Sequence, residues 1–199
     1  FEFQGFKVTR INYLGDWGTQ FGTLLFGYEK YGSEKKLDKD PIEHLYQVYV
    51  KANKKSDEKN FRELFKKLED GDRKSLLLWK LFRGFSLEEY KNIYKTLGIK
   101  FDVFEAESEY NKKARLVLQD LDKKKLLKKS EGALVIDLEK FKLGTSLIEK
   151  TDGTTLYSTR DLAAAIERYK KYKFEKMIYE TGQEQNLHFN QFFKILELM

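Results

Sequence analysis

The sequence predicts an α/β protein in which a parallel sheet with flanking helices is divided by a mostly helical insertion. Three observations predict this fold class. Residues 7–14 and the glycine-rich segment after them follow the strand, turn, helix order of half a βαβ unit. Apolar residues then recur at helical spacing from residue 29 to roughly 130, and strand-like and helix-like segments alternate again beyond Gly132.

These changes of pattern divide the chain into three parts. We expect residues 1–28 to form the first part of the α/β domain and residues 151–199 to form its second part. Residues 29–150 would be the mostly helical insertion, which ends in a small β element. No internal repeat or low-complexity linker interrupts this arrangement.

The first part begins with KVTRINYL at 7–14, where β-branched and aromatic residues predict a strand. GDWGTQFG at 15–22 has three glycines in eight residues, and glycine permits backbone conformations that a Cβ would block. TLLFGYEKYG at 23–32 then predicts a helix.

Capping residues mark helix ends in the insertion. Asp40 followed by Pro41 predicts an N-cap and first helical position for the helix IEHLYQVYVKAN. Ser86 and Glu89 have the spacing of a capping box, and Gly98 lies where a helix would end.

Two apolar stripes in the insertion have the i, i+3, i+4, i+7 spacing of amphipathic helices. They consist of Phe61, Leu64, Phe65 and Leu68, and of Ala114, Val117, Leu118 and Leu121. The run KKKLLKK at 123–129 could meet phosphates, but we favour the solvated end of a helix, where cations also suit the helix dipole.

The last third alternates strands and helices again. ALVIDL and TSLIEK predict two strands with a short connection, and TDGTTLYSTRDLAAAIERYKKY predicts a turn that leads into a helix. EKMIYE at 175–180 predicts a strand, TGQEQ a loop, and NLHFNQFFKILELM a further helix.

Composition excludes several classes of protein. The chain has no Cys, and its two histidines, His44 and His188, are far apart, so we predict no bound protein metal site; a site made of carboxylates is the alternative left open. No segment approaches the roughly 20 apolar residues of a membrane span. The net charge of +6, from 38 basic and 32 acidic residues, fits a polyanionic partner such as RNA but equally a well-solvated lysine-rich surface.

Candidate binding loops follow from the expected sheet, because ligands of open parallel sheets bind beyond the carboxyl ends of strands. These loops are GDWGTQFG and TGQEQNLH, together with the TLYSTRD turn. G-x-G-x-x-G, Walker A and G-x-S-x-G motifs are absent from the sequence. Ser158 and Asp161 have capping-box spacing, so Asp161 is either a helix-capping acid or a ligand-binding group.

Five segments together resemble the catalytic region of arginyl-tRNA synthetases, which are class I enzymes. They are INYLGDWGTQFG at 11–22, DPIEHLYQVYVKAN at 40–53, the stretch from FRGF to ESEY at 82–110, DGTTLYSTRDLAAAIERYKKYKFEKMIY at 152–179, and EQNLHFNQFFKILELM at 184–199. The resemblance covers nearly all of the chain in the expected order. It implies a Rossmann-type catalytic domain whose halves are separated by a connective insertion.

The resemblance also implies roles for particular residues. Arginine binding would fall to Tyr157, Asp161 and Gln185. ATP binding would involve Gly182, Glu184 and, more weakly, His188. Glu107 matches a position near the tRNA 3′ end, and the family's signature loop contains Asn12, Gly15, Asp16 and Gln20.

The implied reaction has two steps and is generally tRNA-dependent in its first step. Arginine and ATP, with Mg²⁺, would give arginyl-adenylate and pyrophosphate, and the arginyl group would then move to the 3′-terminal ribose of tRNA(Arg). The resemblance implies a monomer, without a membrane partner, in the cytoplasm or alternatively in mitochondria.

Two family motifs are missing from the 199 residues. The HIGH-type motif is expected upstream of Phe1 and the KMSKS-type loop beyond Met199, so the chain by itself is expected to be inactive and its two ends to be internal. A catalytically inactive, synthetase-derived relative that serves as a structural or RNA-binding component is the alternative hypothesis.

Overall fold

The computed structural model describes residues 1–55 and 57–199, which form two compact units. The first unit is Phe1–Ala106 and the second is Glu107–Met199. Within the described residues, every helix is too short or too polar to cross a bilayer.

Five helices dominate the first unit. Its elements are a 3₁₀ turn (Glu2–Gln4), β1 (Ile11–Leu14), α1 (Thr19–Tyr31), α2 (Glu34–Lys39), α3 (Pro41–Asn53), α4 (Glu58–Glu69), α5 (Arg73–Thr96) and β2 (Val103–Ala106).

Strands β1 and β2 pair in parallel, from Ile11 opposite Val103 to Leu14 opposite Ala106. The predicted first strand is therefore confirmed only at its carboxyl end. The expectation of helix from residue 29 to roughly 130 is wrong at β2, because the four residues VFEA are too few to display a strand period in the sequence.

The core of the first unit is built around two tryptophans. Trp17 makes edge-to-face contacts with Trp79, at 5.3 Å between ring centroids, and with Phe65 at 5.7 Å. The buried cluster consists of Trp17, Leu25, Leu37, Leu45, Phe65, Leu68, Trp79 and Phe82. The predicted α4 stripe thus packs inward, with Leu64 partly buried at its edge.

The predicted helix ends are partly confirmed. The Asp40 carboxylate accepts a hydrogen bond from the Glu43 N–H at 3.2 Å, and Pro41 opens α3. Gly98, with φ +69°, lies just beyond the end of α5. The capping box at Ser86 is wrong: Ser86 lies inside α5 and its hydroxyl donates to the Phe82 carbonyl, four residues earlier, at 3.1 Å.

The second unit combines a small antiparallel sheet with three helices. Its elements are a 3₁₀ turn (Glu107–Tyr110), α6 (Asn111–Lys123), β3 (Lys128–Ser130), β4 (Ala133–Asp137), a 3₁₀ turn (Glu139–Phe141), β5 (Thr145–Glu149), α7 (Tyr157–Tyr172), a 3₁₀ turn (Gln183–Gln185) and α8 (Asn186–Leu198). The sheet order is β3-β4-β5, and both pairings are antiparallel.

Most predicted elements of this unit are confirmed. The stripe from Ala114 to Leu121 is buried on α6, and the two expected strands pair as β4 and β5. The lysine run at 123–129 covers the end of α6, a turn and the start of β3, as expected for a mostly solvated segment. The strand predicted at 175–180 is wrong: this segment joins no strand ladder among the described residues, and an apolar run without a ladder partner does not make a sheet.

Helices α1 and α4 approach closely at Gly22, which generates a stability prediction. A Cβ there would overlap the Phe61 carbonyl oxygen and lie 3.0 Å from the Phe65 Cβ. We expect Gly22→Ala to destabilise the protein by about 2 kcal/mol through overpacking. Urea unfolding, followed by circular dichroism, measures this change.

Gly84 provides the matched control, because it lies inside α5 with nothing within 4 Å of its added Cβ. We expect Gly84→Ala to stabilise the protein by about 0.5–1 kcal/mol, since alanine is the better helix former. A Gly22→Ala variant as stable as Gly84→Ala would contradict close packing at this contact.

His44 generates a second prediction, which concerns pH. Its Nε2 accepts a hydrogen bond from the Ser33 N–H at 3.0 Å. Burial, and then Lys36 and Lys51, lower the pKa of His44 below its ordinary value of 6.5. The unfolded chain therefore binds the proton more readily, so this contribution to stability is complete above pH 6.5 and is lost as the pH falls below it.

We expect the urea midpoint to fall less in His44→Gln than in wild type between about pH 7.5 and about pH 5.5. The glutamine amide oxygen can accept from Ser33 but does not titrate. Identical pH dependence in the two proteins would show that His44 is not a source of acid sensitivity.

Candidate functional site

The start of α7 is fixed to β5 by two side-chain hydroxyls. Thr159 is fully buried, and its Oγ1 donates to the Ile148 carbonyl at 2.6 Å. Ser158 Oγ donates to the Leu147 carbonyl at 3.0 Å. Helix α7 follows Leu156 and begins at Tyr157, so the predicted Ser158–Asp161 capping box is wrong and Asp161 lies beyond the first turn.

Asp161 instead faces His188 at the start of α8. Asp161 Oδ2 and His188 Nε2 lie 2.8 Å apart, and their side chains are 16% and 11% exposed. Among the described residues, the Asp161 carboxylate makes no other hydrogen bond or ion pair. Asp161 is therefore not a helix-capping acid but a largely enclosed carboxylate with an imidazole beside it.

Tyr157 belongs to the same cluster. It precedes Asp161 by four residues, so both side chains lie on one face of α7. The rings of Tyr157 and His188 are 4.9 Å apart between centroids, and Tyr157 remains 46% exposed. The structure thus brings together three of the residues that the resemblance selects: an aromatic ring, a carboxylate and an imidazole.

Arg160 and Glu107 form a second contact in this unit, in which Arg160 is the more buried partner. Arg160 Nη2 lies 3.0 Å from Glu107 Oε2, and the two side chains are 5% and 17% exposed. Arg160 Nη1 also donates to the Thr155 carbonyl at 3.0 Å. Sequence reasoning missed Arg160. A buried arginine requires a partner, but Glu107 lies 53 residues away along the chain, beyond the reach of a local pattern.

The 181–185 loop places its three candidates differently. Gly182 and Glu184 are exposed, and a Cβ on Gly182 would meet the Glu184 carboxylate, which folds back over this glycine. Gln185 is half-buried at the end of the 3₁₀ turn, three residues before His188, and its N–H donates to the Gly182 carbonyl at 3.0 Å. Within the part of the chain that the structure describes, no hydrogen bond joins Gln185 to Asp161.

In the first unit, the signature loop is held by helix α5. Asp16 is 5% exposed; its Oδ2 lies 2.6 Å from Arg83 Nε, and its carbonyl accepts from Trp79 Nε1 at 2.8 Å. Gln20 and Gly15 are exposed. Sequence reasoning missed Arg83 and Trp79, which lie more than 60 residues away along the chain.

Helix α1 starts directly after this loop, so residues 19–22 are helical and only 15–18 form the turn. Gly18 precedes the helix at φ +145°, a conformation that side-chain-bearing residues rarely adopt. Gln20 Nε2 donates back to the Trp17 carbonyl at 3.3 Å. These contacts fix the conformation of the turn that precedes α1.

Asn12 lies on β1 and donates from Nδ2 to the Tyr94 hydroxyl at 2.9 Å. Its Oδ1 is buried and accepts no hydrogen bond from any residue that the structure describes. Across residues 1–55 and 57–199, no three His, Cys, Asp or Glu side chains converge in a way that could hold a metal ion.

The Tyr157–Asp161–His188 cluster can recognise a cation by charge and shape. A carboxylate oxygen can accept N–H donors from a planar guanidinium, and an aromatic face can pack beside the same cation. Asp161 is largely enclosed, so a neutral ligand would leave its carboxylate with the hydrogen bond to His188 but without a cationic partner. The three side chains are therefore chemically suited to a cation with planar N–H donors.

Known proteins match the chain throughout. The family described as "tRNA synthetases class I (R), catalytic domain" matches residues 1–199. The cytoplasmic arginine–tRNA ligase of Saccharomyces cerevisiae is 49% identical over 214 aligned residues, which cover 100% of this chain and 35% of the ligase. The Bos taurus protein named "Probable arginine--tRNA ligase, mitochondrial" is 49% identical over 203 residues, with 98% and 35% coverage.

A solved structure agrees with these matches. The arginyl-tRNA synthetase of Plasmodium falciparum superimposes with a TM-score of 0.83 at 27% identity, over 100% of this chain and 34% of that protein. The chain thus spans about a third of the length of the relatives it matches. It belongs to the class I tRNA synthetase (R) family and lies within the family's catalytic domain.

Proposed function

We propose that the chain is part of an arginyl-tRNA synthetase, which activates L-arginine with ATP and transfers it to the 3′ end of tRNA(Arg). The full-length match to the family's catalytic domain is the observation that carries this proposal. Residues elsewhere in the complete enzyme would supply the HIGH- and KMSKS-type elements for adenylation.

In this proposal, the Asp161 carboxylate accepts hydrogen bonds from the arginine guanidinium while the Tyr157 ring packs alongside. The distance of 4.9 Å between the Tyr157 and His188 rings and the enclosure of Asp161 support this assignment. Gln185, half-buried one turn before His188, would contact the polar end of the amino acid. Lysine, a point charge with different donor geometry, would fit a bidentate site less well.

ATP would lie near the exposed Gly182 and Glu184, where a glycine allows a nucleotide to approach the backbone. When bound, Mg²⁺ would neutralise charge on the phosphates of ATP. Because Mg²⁺ in such sites is held largely by phosphates and water, the lack of a carboxylate cluster among the described residues is compatible with this role.

Glu107 is assigned near the tRNA 3′ end, and its contact with the buried Arg160 suggests how it would act. The Arg160 guanidinium fixes the Glu107 carboxylate. Glu107 would therefore orient the neighbouring backbone for the RNA and would not itself contact the RNA. We further propose that the enzyme is a monomer of the cytoplasm or of mitochondria and that it keeps the division into residues 1–28, 29–150 and 151–199.

A catalytically inactive relative with a structural or RNA-binding role is the alternative function. The enclosed Asp161–His188 pair favours the enzyme, because a protein kept only for its packing has no need to maintain a charged, partly accessible group. Arginine-dependent ATP–pyrophosphate exchange by the full-length protein, with and without tRNA(Arg), separates the two. Exchange that requires tRNA supports the enzyme; tRNA binding without exchange under either condition supports the inactive relative.

Asp161→Asn is expected to raise the KM for arginine by about 100-fold or more, because a charge-assisted contact with the guanidinium is lost. The KM for ATP and the melting temperature should change little. Exchange kinetics at varied arginine and varied ATP measure both constants.

Glu167→Gln is the matched control, since it makes the same carboxylate-to-amide change on α7. Glu167 contacts Lys113 and Lys170 instead of the cluster. Its arginine KM should stay within about twofold of wild type, as expected for a partly exposed ion pair. If Asp161→Asn kept its arginine KM and lost only stability, Asp161 would be a structural acid.

A further inference from the structure

We propose that His188 is a positioning residue for arginine recognition, which orients the Asp161 carboxylate, and that it is not a contact for ATP. This inference deepens the proposed function and rests on it. His188 would act through Asp161 without touching the reacting atoms.

The hydrogen bond between the two residues is the first support. His188 Nε2 lies 2.8 Å from Asp161 Oδ2, and the two residues are 27 positions apart on different helices. An aspartate side chain has two rotatable bonds, so a carboxylate without a fixed neighbour would sample several orientations. Among the described residues, His188 alone contacts this carboxylate through a hydrogen bond, so the imidazole limits these orientations.

Aromatic packing holds the imidazole in turn. The His188 ring lies 4.9 Å from Tyr157, 5.0 Å from Phe189 and 6.1 Å from Phe192 between centroids. Phe192 is 2% exposed and belongs to the core of the unit. The ring therefore has little freedom to turn, and Nε2 is directed at the carboxylate.

The hydrogen bond to His188 uses one carboxylate oxygen of Asp161 and leaves the other available to a ligand. In the tautomer that carries a proton on Nε2, the imidazole donates one hydrogen bond to Oδ2 and brings no charge. Asp161 then keeps its negative charge, and Oδ1 makes no hydrogen bond with any described residue. A guanidinium can therefore meet the carboxylate, whereas a lysine or arginine in place of His188 would cancel its charge.

Three substitutions in the full-length protein test this role. His188→Leu removes the donor and keeps an apolar body. His188→Gln restores an amide N–H near the position of Nε2, and His188→Asn carries an amide that is one carbon too short to reach it. Asn190→Ala, at an exposed position on the same helix, is the control for general effects on α8.

For His188→Leu and His188→Asn, we expect the KM for arginine to rise about 10- to 100-fold in tRNA-dependent ATP–pyrophosphate exchange, as for the loss of a hydrogen bond to a charged group. The KM for ATP should stay within about twofold, and His188→Gln should recover most of the loss. A higher KM for ATP with an unchanged KM for arginine would overturn the proposal and return His188 to the ATP side.

A double-mutant cycle measures the coupling between His188 and Asp161 even if the single variants are less stable. In an Asp161→Asn background, His188→Leu should add less than about twofold to the arginine KM, because the group it positions is already gone. Fully additive effects would overturn the positioning role. Wild-type protein without arginine-dependent exchange would instead defeat the proposed function itself, so the two failures are distinguishable.

Discussion

The hydrogen bond from Thr159 to the Ile148 carbonyl determines where the candidate site can form. It is buried and joins the first turn of α7 to the backbone of β5, so the helix cannot shift along the strand without leaving an unpaired polar atom. Ser158 adds a parallel contact to Leu147. Because Ser158 and Thr159 lie between Tyr157 and Asp161 in sequence, these hydrogen bonds determine which face of α7 presents both candidate side chains.

The buried Arg160–Glu107 pair reinforces the same helix start. Taking the Arg160 charge out of water is costly, and it is tolerated because the guanidinium meets the partly buried Glu107 carboxylate and also donates to the Thr155 carbonyl. Removing Glu107 would leave the buried Arg160 charge, directly before Asp161 in sequence, without this carboxylate partner. Glu107, which the family resemblance places near the tRNA 3′ end, therefore also stabilises the start of α7. The two roles are compatible when the carboxylate is held in place.

Local sequence signals predicted much of this fold and less of the site. The Asp40 cap and the stripe ending at Leu121 depend on neighbours within one or two helical turns, so periodicity and capping preferences reveal them. Strand β2 forms because it pairs with the distant β1, and the segment at 175–180 joins no strand ladder among the described residues; no local pattern in the sequence records either outcome. The Asp161–His188 contact is also distant, although both residues were selected separately through the resemblance.

Two aspartates selected from the sequence differ in the partner that holds them. Asp16 faces Arg83, whose permanent charge offsets that of the carboxylate, and the pair fixes the GDWG turn against α5. Asp161 faces an imidazole, which can donate a hydrogen bond without supplying a charge. A cationic ligand would gain most from a carboxylate whose charge is oriented but not cancelled, so the chemistry of the partner supports the proposal that Asp161, and not Asp16, binds the ligand.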